Sequence, residues 1–148
     1  MFLDKAINNH YKDFKYTKLY DHYDEIQNLV NCFEIEKTRV RIHRQGPGHV
    51  IPDHVDDNNI HAKKPEDLRL RIITALNDNK DAVYRFNDKV ITLNKGESIV
   101  FEPDKVKHGM ENNSTNTPRY ALVQIVKVYP FSDWFKDFLY KNNTIDVR

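Results

Sequence analysis

Seven short β-prone runs, separated by turn residues, fill the stretch between residues 38 and 128. "TRVRIHRQ" alternates in polarity, and "HVIPDHVD" follows a Gly-Pro-Gly break at 46 to 48. "LRLRIITAL" (68–76) is a strand candidate in which Leu68, Leu70 and Ile72 alternate against Arg69 and Arg71, with an outward position for Arg71 one of two open readings. "AVYRF" and "KVITL" flank Asn87-Asp88, a hairpin signal because both residues tolerate positive φ. "ESIVFE" (97–102) follows Gly96, and "RYALVQIVKV" (119–128) is the most β-rich run of the chain. Such a succession of antiparallel strands in one small domain favours a double-sheet barrel or jelly roll, with a sandwich of another topology as the structural alternative.

Helical patterns lie only at the ends. "YDEIQNLVNCF" puts Ile26, Leu29, Val30 and Phe33 on one face, within a helical N-terminal segment to about residue 35. "FSDWFKDFLY" reads as a short amphipathic helix over about 131–140, capped by Ser132 and pinned to the barrel by Trp134 and its phenylalanines. At 148 residues, with neither repeat nor Gly/Ser linker, the chain is expected to be a single domain, 1–148, with its β core over about 38–128.

The formal net charge of +1 gives no global basic field, so neither nucleic acid nor an anionic membrane is an expected partner. Cys32 is the single cysteine, which excludes a disulfide framework and any site built on several thiolates. The start of the chain is charged every few residues and has no apolar core of a signal peptide, and no run is long enough to span a membrane. A cytoplasmic location is the expectation.

The chemistry concentrates in "GHVIPDHVDD" (48–57). Seven His and fifteen Asp in this length give roughly 0.7 His-x-Asp by accident, so the pattern alone is weak. It occurs twice. His22-Tyr23-Asp24 falls in the helical stretch, where residues two apart do not face each other, and reads as solvated surface. His54-Val55-Asp56 falls in a strand, where residues two apart share a face and can converge on one ion. A divalent metal needs a third ligand, and His43, His49, His61 and His108 are candidates. His108, just after the apolar strand "SIVF", would complete two imidazoles and one carboxylate, a set that leaves three positions on iron open. Arg119 begins the strongest strand, and an arginine entering a barrel interior needs an anion for its planar fork.

With His54, Asp56, His108 and Arg119 in this order, the sequence resembles the Fe(II)/2-oxoglutarate-dependent oxygenases, and within them the aspartyl/asparaginyl β-hydroxylase type, whose relatives include small-molecule proline hydroxylases. The resemblance runs from "GPGHVIPDHVD" to "PRYALVQIVKVYP". It implies a double-stranded β-helix (cupin-like jelly roll), with His54, Asp56 and His108 as iron ligands and Arg119 on the far carboxylate of 2-oxoglutarate. Arg71 matches an arginine at the cosubstrate's other end. The implied activity is hydroxylation of an unactivated C–H, with Fe(II), 2-oxoglutarate and O2, on an amino acid that is free or within a peptide or protein.

Animal protein hydroxylases of this type lack the carboxylate ligand that Asp56 would supply, and have a histidine where this chain has Ile73. Asn112 and Gln124 are possible hydrogen-bond donors behind the ligands. Loop 57–67, with His61, Lys63 and Lys64, suits either a substrate-recognition lid or a solvated connector. A cupin-like metal enzyme and a non-catalytic binding barrel stand as alternatives. The sequence leaves the oligomeric state open.

Overall fold

The computed structural model describes residues 18–32, 37–56, 68–128 and 144–146. Two short helices, α1 (Lys18–His22) and α2 (Asp24–Asn31), precede the strands β1 (Lys37–Gln45), β2 (Val50–His54), β3 (Leu68–Ala75), β4 (Ala82–Phe86), β5 (Lys89–Thr92), β6 (Ser98–Phe101), β7 (His108–Asn112), β8 (Arg119–Val128) and β9 (Thr144–Asp146). They form a five-stranded sheet in the order β1-β8-β3-β6-β9 and a four-stranded sheet in the order β2-β7-β4-β5. Pairing is antiparallel except for β6 with β9. The fold is mainly β, a jelly roll of the double-stranded β-helix kind. Among the described residues no helix is long and apolar enough to cross a membrane.

All seven predicted runs are strands, and two more join them. β7, "HGMEN", has neither alternation nor branched residues, yet is hydrogen-bonded between β2 and β4. β9 lies beyond the predicted closing helix, and that helix falls outside the described residues, as do loop 57–67 and most of the N-terminal segment. The helical stretch itself is broken. Tyr23 is extended, with φ −127°, so His22 ends α1 and Asp24 begins α2. Both are exposed.

Between the sheets lies an apolar core that includes Ile73, Tyr84, Phe86, Phe101, Met110 and Val123. A smaller cluster, Val30, Val40 and Leu122 with Ile26, Leu29 and Ile42 against it, seats α2 on the outer face of β1 and β8. The five-stranded sheet therefore buries both faces, and this decides between the two open readings of Arg71 on β3. Leu70 and Ile72 lie on the outer face and are fully buried, while Arg71 and Ile73 point into the cavity between the sheets.

Candidate metal centre

The site begins at a break in strand register. On β2, Ile51 pairs with Met110, and His54 with His108, so three steps on β2 match two on β7. The extra residue is a β-bulge at Pro52-Asp53, where proline has no N–H to give the ladder. Plain alternation from the inward Ile51 would turn His54 outward, and the bulge turns it inward. β2 ends at His54, and Asp56 is placed by its own N–H donating to the Pro103 carbonyl at 2.9 Å.

Three side chains then converge. His54 Nε2 lies 3.2 Å and His108 Nε2 3.5 Å from Asp56 Oδ1, and the imidazole centroids are 4.4 Å apart. One ligand atom from each residue lies within 4.8 Å of the others. Three donors about 2.1 Å from one ion in adjacent octahedral positions lie roughly 3 Å apart, so the spacing fits a first-row divalent metal. Both rings are held alike. His54 Nδ1 is 2.8 Å from the Pro52 carbonyl and His108 Nδ1 2.8 Å from the Val106 carbonyl, each two residues back. A carbonyl only accepts, so both Nδ1 atoms carry the proton and both Nε2 lone pairs face Asp56.

Such a pocket draws positive charge. Arg71 donates to Asp56 Oδ2 and, at 3.1 Å, to His108 Nε2. Burial alone would raise the Asp56 carboxyl, but the neighbouring His108 and the Arg71 charge hold it down at about 2. Asp56 is therefore a carboxylate at any working pH. The residues present fit a hard-to-borderline cation with nitrogen and oxygen ligands.

Arg119 lies at the other end of the same cavity, which measures about 310 Å³. It is only 4% exposed. Its Nε donates to Tyr84 Oη at 2.5 Å, its Nη1 donates to Gln45 Oε1, and its guanidinium stands 4.5 Å from the Tyr84 ring centre. Burial pulls its pKa below the usual arginine value while Tyr84 pushes back. Both hydrogen-bond partners are neutral, and no carboxylate pairs with it among the described residues. A buried guanidinium without a counter-charge costs several kcal/mol unless an anion joins it.

Of the sequence candidates, His54, Asp56, His108, Arg71 and Arg119 all line this cavity. His43 lines it too, outside the metal cluster, and its pKa falls to about 3 through burial and the charges of Arg41, Arg119, Arg71 and Arg39. His49 is exposed and His61 lies outside the described residues. Gln124 is not behind the ligands, because it stands on the outer face of β8 between Val40 and Ile72. Asn112 is a clamp instead. Its amide nitrogen reaches the Gln45, Gly46 and Thr117 carbonyls at 3.2, 3.1 and 2.9 Å, tying the β1–β2 turn to the β7–β8 loop. That turn closes through Gly48, whose φ of +72° suits glycine and whose N–H donates to the Asn112 carbonyl at 2.8 Å. Sequence reasoning did not assign Arg39, Arg41 and Tyr84 to the cavity, and named His43 only as one of four candidates for a third ligand. The period-2 spacing of Arg39, Arg41 and His43 on β1 was visible, but not which face would be inside.

Structural likeness extends to several solved proteins. An oxidoreductase of the 2OG-Fe(II) oxygenase family from Burkholderia pseudomallei aligns over 70% of this chain and 57% of its own, at 18% identity and a TM-score of 0.48. A double-stranded beta-helix protein from Klebsiella pneumoniae aligns over 60% and 62%, at 20% identity and a TM-score of 0.43, so the aligned part spans under two thirds of that protein. A predicted oxalate decarboxylase from Thermotoga maritima aligns over 63% and 69%, at 17% identity and a TM-score of 0.46. A search of curated proteins gave no significant match. A family model does match, that of the aspartyl/asparaginyl beta-hydroxylases, over residues 8–128 and hence both cavity-lining sheets. A match over that much of the sequence assigns the chain to the aspartyl/asparaginyl beta-hydroxylase family.

Proposed function

We propose that the chain is an Fe(II)- and 2-oxoglutarate-dependent dioxygenase that hydroxylates an unactivated C–H of an amino acid, free or within a peptide or protein. One observation supports this above the others: the His54–Asp56–His108 cluster shares one cavity with the buried Arg119 guanidinium, which has no carboxylate partner among the described residues. A metal-binding barrel needs only the first. A site for a metal and a dicarboxylate together accounts for both.

When bound, iron and 2-oxoglutarate supply the oxidising power: O2 gives one atom to succinate as CO2 leaves, and the other to the substrate carbon as hydroxyl. The chain's own residues bind, orient and exclude water. His54, Asp56 and His108 would hold the metal through two imidazole nitrogens and one carboxylate oxygen, and three protein ligands would leave it able to bind cosubstrate as well. Arg119 receives the far carboxylate, and Tyr84 and Gln45 fix the plane of its fork, so the carboxylate meets a donor pair already oriented. Phe86, Phe101, Met110 and Val123 give the cavity an apolar wall that keeps bulk water from the reacting carbon.

The test is anaerobic addition of Fe(II), then 2-oxoglutarate, to the purified chain while recording the visible charge-transfer band. The band appears in wild type and is absent in His54→Ala. In Arg119→Ala it needs roughly 10- to 100-fold more 2-oxoglutarate, the size of losing hydrogen bonds to a charged group. A folded, metal-loaded wild type without the band overturns the reading and leaves a cupin-type metal site or a binding barrel.

A further inference from the structure

One ion pair in the four-stranded sheet reaches across a strand rather than between neighbours. Arg85 on β4 pairs in register with Gly109 on β7, and the register gap on β2 sets Pro52 and Asp53 on the other side of Gly109. Tyr84 and Phe86, flanking Arg85, are buried in the core, so Arg85 stands on the opposite, outer face of the sheet. β7 lies between β4 and β2, which puts their backbones about 10 Å apart. Gly109 adds no side chain to that gap, and the Asp53 carboxylate lies over it. Arg85 Nε donates to Asp53 Oδ1 at 2.7 Å.

The rest of the fork is engaged as well. Arg85 Nη2 donates to the Ile51 carbonyl at 3.4 Å, and Nη1 donates to Glu111 Oε1. One guanidinium thus grips β2 on both sides of Pro52 and ties it to β7. The bulge needs such a hold, because neither Pro52 nor Asp53 has a register partner on β7. It also carries the Pro52 carbonyl that lies 2.8 Å from His54 Nδ1. We propose that Arg85, through Asp53 and the Ile51 carbonyl, is a positioning residue for His54: it fixes the bulge, and with it the direction and the protonated nitrogen of the His54 imidazole. The proposal rests on the reading of His54, Asp56 and His108 as metal ligands.

Global stabilisation is a weaker account of the same contacts. The Arg85, Asp53 and Glu111 side chains are 22%, 33% and 35% exposed, and ion pairs so open to water add little to overall stability. A planar fork with its three nitrogens all engaged is suited to fixing the course of a backbone instead. His108 does not depend on it, since its Nδ1 is held by the Val106 carbonyl in the β6–β7 loop. Loss of Arg85 therefore disturbs one imidazole and spares the other.

Two measurements test this on Arg85→Met, which keeps an unbranched apolar stem and loses the fork. The first is long-range proton–nitrogen NMR of the imidazoles in the metal-free chain, with the rings assigned from His54→Gln and His108→Gln. In wild type both rings carry the proton on Nδ1. In Arg85→Met the His54 signals move toward a mixture of the two neutral tautomers, while those of His108 stay in place. The second is calorimetric titration with Mn(II). Affinity falls roughly tenfold or more in Arg85→Met, the scale of losing a group behind a metal ligand. Asp53→Asn, which keeps an acceptor oxygen for Nε, recovers most of the affinity. Glu111→Gln, which loosens Arg85 from β7 but not from β2, stays within about twofold of wild type.

Either an unchanged His54 ring or an Mn(II) affinity within about twofold of wild type in Arg85→Met overturns the proposal. So does an equal loss in Glu111→Gln, or an equal change at His108, because Arg85 would then be a general brace of the sheet. A wild type that binds no Mn(II) sinks the metal reading instead, and the imidazole signals then decide alone whether Arg85 sets the His54 ring.

Discussion

At the scale of single residues, the cavity's chemistry follows from several arginines gathered around one carboxylate, Asp56, among the described residues. His43 is the clearest case. Burial and four arginines move its folded-state pKa from 6.5 to about 3. Between those values the unfolded chain binds a proton that the folded chain refuses, so stability is complete above pH 6.5 and declines as the pH falls toward 3. The slope is at most about 1.4 kcal/mol per pH unit. Thermal melts of the ligand-free protein from pH 7 to 4 should show this decline, and His43→Gln should flatten it. An unchanged slope in the variant would show that other groups set the acid limb.

Single residues also mark where sequence reasoning stops. His54, Asp56, His108 and Arg119 were legible because their side chains have few uses in a barrel interior other than a ligand. Arg39 and Arg41 were not, although "RVRIH" alternates plainly. Alternation separates two faces, and the rule that the polar one faces water fails when the polar face lines an internal cavity. For Arg71 the pattern alone left an outward position on β3 as open as one in the site, and the resemblance pointed it toward the site.

Among the elements, β2 and β7 decide the geometry of the His54–Asp56–His108 cluster, and each departs from a regular strand. The β2 bulge aims His54, and β7 has glycine beside His108. A Cβ on Gly109 would meet the Asp53 carboxylate, with Arg85 Nη2 at 2.9 Å and the Ile51 carbonyl at 2.9 Å. The side chains can swing away, but the Ile51 carbonyl is backbone of the strand carrying His54. Gly109→Ala should therefore push β2 off β7, costing about 1–3 kcal/mol of stability. Metal affinity should drop tenfold or more, measured by Mn(II) titration. Unaltered metal affinity would mean that β2 absorbs the methyl group without moving His54. Neither feature could be read from the sequence, where "HGMEN" carries no strand signal and the bulge is visible only once β2 has a partner.

For the whole molecule, the metal would act as a fastener. β2 and β7 match at only three register pairs, against eight between β3 and β8. An ion held by His54, Asp56 and His108 adds a bond between β2 and β7 near the Pro103 carbonyl that anchors Asp56. At a metal concentration of 100 Kd the fold gains about 2.7 kcal/mol. For a domain of this size that is roughly 5–10 °C of melting temperature. A chelator should reverse the shift, and amide exchange in β2 should slow most on metal addition. A metal-insensitive melt would show that the cluster is not a binding site of useful strength.

The two sheets contribute unlike charges to the space between them. The imidazoles of His54 and His108 come from the four-stranded sheet, with Asp56 just past β2, whereas Arg39, Arg41, Arg71 and Arg119 all come from β1, β3 and β8 of the other. The cavity is in effect a gap between dissimilar plates. A molecule carrying separated charges is turned by that field before it touches either wall, so orientation begins during approach rather than at contact. Dissolved salt weakens the field over about 10 Å at 0.1 M, which makes the speed of capture, more than the final grip, the quantity that ionic strength governs.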